Sequence, residues 1–367
     1  MSYLFLILLL SSFIASLLLA IFLMPRIIYI ATKNKFIDEP DNERKVHTRI
    51  ITNLGGIGIY LGFIIVSLFS SITLLNIPEI GTLTFFQKWY YIVIATFILF
   101  ITGVKDDLAG LTPIKKFVAQ AVAAFIVVYF ADIRLLSFHG IFWIHELPYL
   151  ISLIFSIIGI IFVTNAFNLI DGIDGLAGSL AAYVLAILSV LFTLNHNYNE
   201  AIISITLLGA VLGFLKFNWA PARIFMGDTG SLILGFSLAT LCIVFVKDIA
   251  ISNQISNIIT GTGGATLLTL ALLIIPIFDT FRVFSVRILK GGSPFHADRN
   301  HLHHKLLDAN FSHKKIALTF LFVFTFLIAT TFGFHFISTA IACIALFSSI
   351  TVILIGFSIF LKPTKKD

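Results

Sequence analysis

Apolar runs long enough to cross a membrane recur from one end of this chain to the other, and that repetition constrains the fold more than any other feature. A helix rises about 1.5 Å per residue, so about 20 apolar residues cross the roughly 30 Å hydrocarbon core of a bilayer. Such runs lie near 3–24, 54–75, 86–104, 117–131, 148–168, 176–194, 201–217, 230–247, 264–281, 316–333 and 336–361, with Gly333 and His335 offering the turn between the last two. Of the 367 residues 59% are hydrophobic and 11% charged, against about 25% charged in soluble domains. No water-soluble fold hides that much apolar surface at this length. The expected architecture is an all-α integral membrane protein of about eleven transmembrane helices, forming one polytopic domain over residues 1–367.

Charge orients the helices. No Lys or Arg precedes Arg26, so residues 1–24 read as a retained first span rather than a signal peptide. The loops near 25–53, 105–116, 169–175, 216–229 and 282–315, with the 362–366 tail, hold every Lys and Arg except Lys88, Arg134 and Lys247. The positive-inside rule then puts these loops in the cytoplasm, the N-terminus outside and the C-terminus inside. Thirteen of the 18 acidic residues fall on the same basic side. Carboxylates and cations gathered at helix ends suit a site that handles anions together with a divalent metal. Cys242 and Cys343 both lie in apolar runs and read as small buried hydrophobes, which excludes a disulfide framework.

Five cytoplasmic segments carry chemistry-bearing residues. Asp106-Asp107 closes the third span and is followed by Lys115-Lys116; adjacent carboxylates repel, which suits them to a proton or a metal, although a polar helix end would look the same. Asn165, Asn168, Asp171 and Asp174 recur at three-residue spacing, and a tightened turn or a break at Gly172 would bring them onto one wall. Phe225-Met226-Gly227-Asp228-Thr229-Gly230-Ser231 places a carboxylate between glycines at the start of a span, so backbone amides at a helix N-terminus could approach a phosphate. An ordinary N-cap by Asp228 or Thr229 is the simpler alternative. The segment lacks the Lys of a Walker loop. His296, Arg299, His301, His303, His304 and Lys305 form either a zinc site or an anion clamp, and the cations favour a diphosphate. The fifth segment, Asp38 to His47, is uninformative alone.

In this order and on one membrane face, the segments resemble the polyprenyl-phosphate N-acetylhexosamine-1-phosphate transferases of glycosyltransferase family 4. The matching motifs are D-x-P-D-x-x-R-K-x-H (38–47), D-D-x-x-x-L with K-x-x-x-Q (106–120), N-x-x-N-x-x-D-G-x-D-G-L-A (165–177), F-N-x-x-P-A-x-x-F-M-G-D-x-G-S (217–231) and H-L-H-H (301–304). The histidine motif is closer to the branch that starts O-antigen, enterobacterial common antigen or wall teichoic acid than to the muramoyl-pentapeptide branch, which carries three consecutive histidines. Residues 48–53 lack the prolines usual in the family before the Gly pair.

The resemblance implies transfer of an N-acetylhexosamine-1-phosphate, with N-acetylglucosamine first among the sugars, from a UDP-sugar to undecaprenyl phosphate in the bacterial cytoplasmic (inner) membrane, releasing UMP. It implies Mg²⁺, with Mn²⁺ as a substitute, held by Asp228 and Asn168. Asp106 and Asp107 would position or deprotonate the lipid phosphate, and Asp171 would order the same wall. Asp174 would contact uracil with Phe225 nearby, while Lys116, Arg299, His301, His303 and His304 grip the diphosphate. The lipid is expected to enter by a groove between spans leading to Asp106 and Asp107. Asp228→Ala and Asp107→Asn are each expected to abolish transfer without loss of folding. A homodimer is compatible with the resemblance; nucleic acid is not an expected partner. A membrane phosphatase would use similar groups, whereas a transporter would place its polar groups near the bilayer midplane.

Overall fold

The computed structural model of the chain describes residues 3–36, 51–77, 83–138, 145–252, 254–255, 258–259, 261–289, 291 and 301–360. The described residues form helices α1 (Tyr3–Lys33), α2 (Gly55–Leu75), α3 (Leu83–Ala109), α4 (Pro113–Phe125), α5 (Tyr149–Ile170), α6 (Leu176–Leu194), α7 (Tyr198–Asn218), α8 (Gly227–Ile251), α9 (Gly261–Leu289), α10 (Leu302–Asp308), α11 (His313–His335) and α12 (Thr339–Phe360). A π-helical turn, Ile126–Phe130, extends α4. Among the described residues ten helices are long and apolar enough to cross a membrane. The remaining expected span, 86–104, lies within the 27-residue α3, whose ends carry Lys88 and the Lys105-Asp106-Asp107 run.

Helix limits differ from expectation chiefly at α1. The sequence predicts a loop from residue 25, yet the helix runs through Pro25 to Lys33. Proline removes one backbone donor, and Arg26 supports the same region from outside: its guanidinium donates to the Phe22 carbonyl at 2.6 Å and lies 3.3 Å over the Phe22 ring. The long apolar stretch after residue 315 does divide near His335, with α11 ending there and α12 beginning at Thr339.

Within a bilayer, helices associate through close packing and interhelical hydrogen bonds rather than through the hydrophobic effect. Ser16 on α1 shows both: it is fully buried, and its hydroxyl donates to Gly62 O on α2 at 3.1 Å and Thr206 O on α7 at 2.6 Å. Helix α7 packs on α1, α2 and α6, and α8 packs on α2, α3, α5, α6 and α9. The membrane-crossing stretch of α8 is entirely buried in protein, while under a quarter of that of α1 or α12 is. The molecule is therefore layered around α8.

The two ends of the bundle differ in charge. At the end opposite Asp228, the three isolated cations are paired. Lys88 meets Asp248 at 3.3 Å, and Arg134 and Lys247 both meet Asp132, at 2.6 and 2.5 Å. The carboxylates of Asp106, Asp107, Asp171 and Asp228 gather at the other end.

Candidate active site

Three helix ends build the site because backbones can approach there as closely as glycine allows. A Cβ on Gly56 of α2 would overlap the Gly230 backbone of α8, and one on Gly103 of α3 would overlap the Thr229 backbone. The start of α2 is also tied to the segment before α8: Gly55 N donates to Phe225 O at 2.9 Å, Gly56 N to Met226 O at 2.8 Å, and Phe225 N to Thr52 O at 2.8 Å. Phe225 is thus held by its backbone with a half-buried ring.

This contact brings Asp107 under the N-terminus of α8. The amides of Asp228 and Thr229 donate to its two carboxylate oxygens at 2.8 and 3.0 Å, and the Thr229 hydroxyl donates to Oδ2 at 2.6 Å. The positive end of the helix dipole and its unpaired amides favour an anion here. The sequence places a phosphate at these amides; the structure gives them a carboxylate from α3 instead. Asp107 acts as the helix cap from a distance of 121 residues.

Its neighbour Asp106 turns the other way. Lys116 Nζ lies 2.6 Å from Asp106 Oδ2 and 2.5 Å from Asp228 Oδ2, so one ammonium bridges two carboxylates from α3 and α8. Asn168 on α5 adds Nδ2 donations to Asp228 Oδ1 at 3.0 Å and to the Ser231 hydroxyl at 2.8 Å. Expected to share a metal with Asp228, Asn168 here orients that carboxylate through its NH₂ group. One turn earlier Asn165 pairs with Gln120 of α4, the Asn165 NH₂ donating to Gln120 Oε1 at 2.5 Å. This pair joins α5 to the helix that carries Lys116.

The three-residue row does not form one wall. Helix α5 stops at Ile170 and the chain turns through 171–175. Asp171 stays near the other carboxylates; burial first, then the charges of Asp228, Asp107 and Asp174, pushes its pKa well above the usual carboxylate range. Asp174, expected at uracil, is buried: its Oδ2 accepts from Ala222 N at 3.0 Å and its Oδ1 lies 3.2 Å from His313 Nδ1. Asn218 finishes this clamp, accepting from Gly175 N and donating to Ile224 O, both at 2.9 Å.

The histidines arrive from the α9–α10 connection. A Cβ on Gly172 would lie 2.9 Å from His303 Nε2 and 3.8 Å from His304 Cε1, so the imidazoles cover the 171–175 turn. His301 and His303 stack with centroids 5.6 Å apart. Burial, then the neighbouring His304, pulls the pKa of His303 down to about 3, so this ring is neutral at pH 7. Among the described residues both His303 nitrogens and His301 Nε2 are buried with no hydrogen-bond partner. Orphaned buried nitrogens of this kind are costly, and a bound anion would satisfy those that carry a proton. Arg299 and the 38–47 motif lie outside the described residues.

The donor set suits a hard divalent cation of the Mg²⁺ class. Such an ion takes oxygen ligands and is commonly held by one or two carboxylates plus substrate phosphates rather than by a protein cage. Asp228 and Asp106 supply carboxylate oxygens already gathered around a positive charge. Among the described residues no three His, Cys, Asp or Glu side chains converge as a closed metal site. An apolar cleft lies between α9, α11 and α12, lined by Phe278, Phe320 and Phe357 among others, and it reaches Leu302 of the histidine segment rather than Asp106.

His313 and Asp279 escape sequence reasoning, and Asn218 entered it only as a motif position without a role. Asp279 had a signal, since a carboxylate inside an apolar run requires a reason; His313 had none.

Comparison with known proteins agrees with the motifs. The glycosyl transferase family 4 model matches residues 89–246. A probable undecaprenyl-phosphate N-acetylglucosaminyl 1-phosphate transferase of Bacillus subtilis is 32% identical over 84% of this chain and 79% of its own length. A decaprenyl-phosphate N-acetylglucosaminephosphotransferase of Mycobacterium leprae is 36% identical over 33% of this chain and 30% of its own. The phospho-N-acetylmuramoyl-pentapeptide-transferase of Bacillus subtilis is 36% identical over 34% of this chain and 33% of its own.

Proposed function

The chain belongs to glycosyl transferase family 4, and from that membership we propose that it transfers N-acetylglucosamine-1-phosphate from UDP-N-acetylglucosamine to undecaprenyl phosphate. An oxygen of the lipid phosphate attacks the sugar-bearing phosphorus, the bond to the UMP oxygen breaks, and UMP leaves. The product is a lipid-diphosphate sugar of the kind that starts a cell-envelope polysaccharide.

The observation that carries this reading is the bridge of Lys116 between Asp106 and Asp228, with Asp171 beside it and buried, partnerless imidazole nitrogens over the 171–175 turn. Phosphoryl transfer asks a protein mainly to position charged groups and to stabilise charge spread over phosphate oxygens. Lys116 and the histidines supply donors for those oxygens. Asp106 would align the incoming lipid phosphate in this reading. Asp107 holds the N-terminus of α8, and with it the Asp228 carboxylate, in place. Mg²⁺, which neutralises diphosphate charge when bound, would be held by Asp228 with Asp106 or Asp171 beside it. The site end faces the cytoplasm of a bacterial inner membrane in this reading, in keeping with the charge asymmetry of the loops.

The test uses purified protein in detergent with Mg²⁺, undecaprenyl phosphate and a panel of UDP-N-acetylhexosamines that includes UDP-N-acetylmuramoyl pentapeptide. UMP release that requires the lipid, with label entering the lipid fraction only from UDP-N-acetylglucosamine, is the expected result. Release without the acceptor would assign a hydrolase. Removal of divalent ions with EDTA is expected to stop turnover, and Mg²⁺ or Mn²⁺ to restore it.

A further inference from the structure

Asp279 lies inside the apolar run of α9 and is 2% exposed. A carboxylate at such a position persists only where partners hold it. Its partners come from two elements. Oδ2 lies 2.9 Å from His301 Nδ1, and Oδ1 accepts from Leu302 N at 3.1 Å and from an Arg282 guanidinium nitrogen at 2.8 Å. One buried side chain therefore fixes both the ring of His301 and the start of the short helix that carries His303 and His304.

A carboxylate on one imidazole nitrogen selects the tautomer and aims the other nitrogen. With Nδ1–H committed to Asp279, the opposite nitrogen, Nε2, is the one left for a ligand, and it is buried and without a partner. His303 has neither nitrogen bonded. His301 and His303 are therefore not equivalent: a buried carboxylate lies against one ring nitrogen of His301 and against neither of His303.

We infer that Asp279 is a positioning residue for the transfer reaction, locking the His301 ring with Nε2 toward a phosphate oxygen of the nucleotide-sugar diphosphate, to which the ring donates once both its nitrogens carry protons. This rests on the diphosphate reading of the histidine segment given above. Asp279 touches neither substrate; its effect reaches the reaction only through His301.

A double-mutant cycle on the full-length protein in detergent separates this role from a merely structural one. UMP release is measured with Mg²⁺, undecaprenyl phosphate and UDP-N-acetylglucosamine for Asp279→Asn, His301→Ala, the two together, and Asp279→Asn combined with His303→Ala. Asp279→Asn is expected to lower kcat about 10²-fold, the scale of losing one aligned donor, with little change in KM. In the His301→Ala background the same change is expected to cost nothing more, whereas beside His303→Ala it keeps its full effect. Full, multiplicative loss in the His301→Ala background would overturn the inference, as would unchanged kcat in Asp279→Asn. Normal turnover of His301→Ala would overturn the diphosphate reading and this inference with it. Should Asp279→Asn unfold, ¹⁵N-histidine NMR of the unaltered protein with the nucleotide-sugar bound decides: protons on both nitrogens of His301 support the inference, and a neutral ring with either nitrogen bare overturns it.

Discussion

Asp107 and Asp106 are adjacent in sequence and opposite in role. Asp107 ends beneath the first turn of α8, and Asp106 shares Lys116 with Asp228. Asp107→Asn is therefore expected to cost stability as well as activity, because an amide nitrogen would face the α8 amides. A lost cap is worth about 1–2 kcal/mol, readable as a lower melting temperature. That revises the expectation of inactivation without loss of folding. Lys116→Met leaves Asp106 and Asp228 repelling without a cation between them, and transfer is expected to fall about 10²- to 10³-fold. His303 makes a pH prediction. Its folded pKa near 3 lies below the unfolded value of 6.5, so as pH falls from 6.5 the unfolded chain takes the proton first. Stability is full above pH 6.5 and drains at about 1.4 kcal/mol per unit toward pH 3. Denaturant titrations across that range are expected to show a shallower slope in His303→Met. Motif spacing marked Asp106, Asp107, Lys116 and Asp228 as site residues. No spacing could say that residue 107, rather than a ligand, would claim the amides of residues 228 and 229, since that choice is made by helix packing.

At the scale of elements, the α2, α3 and α8 contact depends on the absence of side chains. Gly56→Ala and Gly103→Ala each push a methyl into backbone that cannot yield, and overpacking of this kind costs about 1–3 kcal/mol. Both are expected to lower the melting temperature and the transfer rate together. Gly159→Ala on α5, with nothing within 4 Å of the added carbon, is expected to be neutral or slightly stabilising. Helix positions followed from apolar run length because bilayer thickness sets that length. Helix ends followed less well. The 165–174 row suggested one polar wall, yet helical rotation within α5 turns Asn165 to α4 and Asn168 to α8, and the chain turn after Ile170 carries Asp174 to His313.

For the whole molecule, the sequence divides cations unevenly between two faces, and the structure places the acidic site at one end and the paired Lys88, Arg134 and Lys247 at the other. Orientation is testable directly. In a background with Cys242 and Cys343 replaced by serine, a membrane-impermeant maleimide is expected to label Lys115→Cys only in everted vesicles. It should label Glu146→Cys only in right-side-out ones. Labelling in the reverse pattern would invert the topology. Ten of the eleven expected spans were legible as apolar runs, while the order in which they surround one another was not, because an apolar face reads the same whether it meets lipid or protein.

Helix α8 carries that last point into biogenesis. It is as hydrophobic as its neighbours, so the insertion machinery would hand it to the bilayer as readily as any of them, yet in the finished molecule its most apolar stretch is buried throughout in protein. Its final environment exists only once α2, α3, α5, α6 and α9 have closed around it, and α9 is synthesised after it. The sheath around the helix bearing Asp228 is therefore complete only once α9 has been made, and the candidate site at the start of that helix with it.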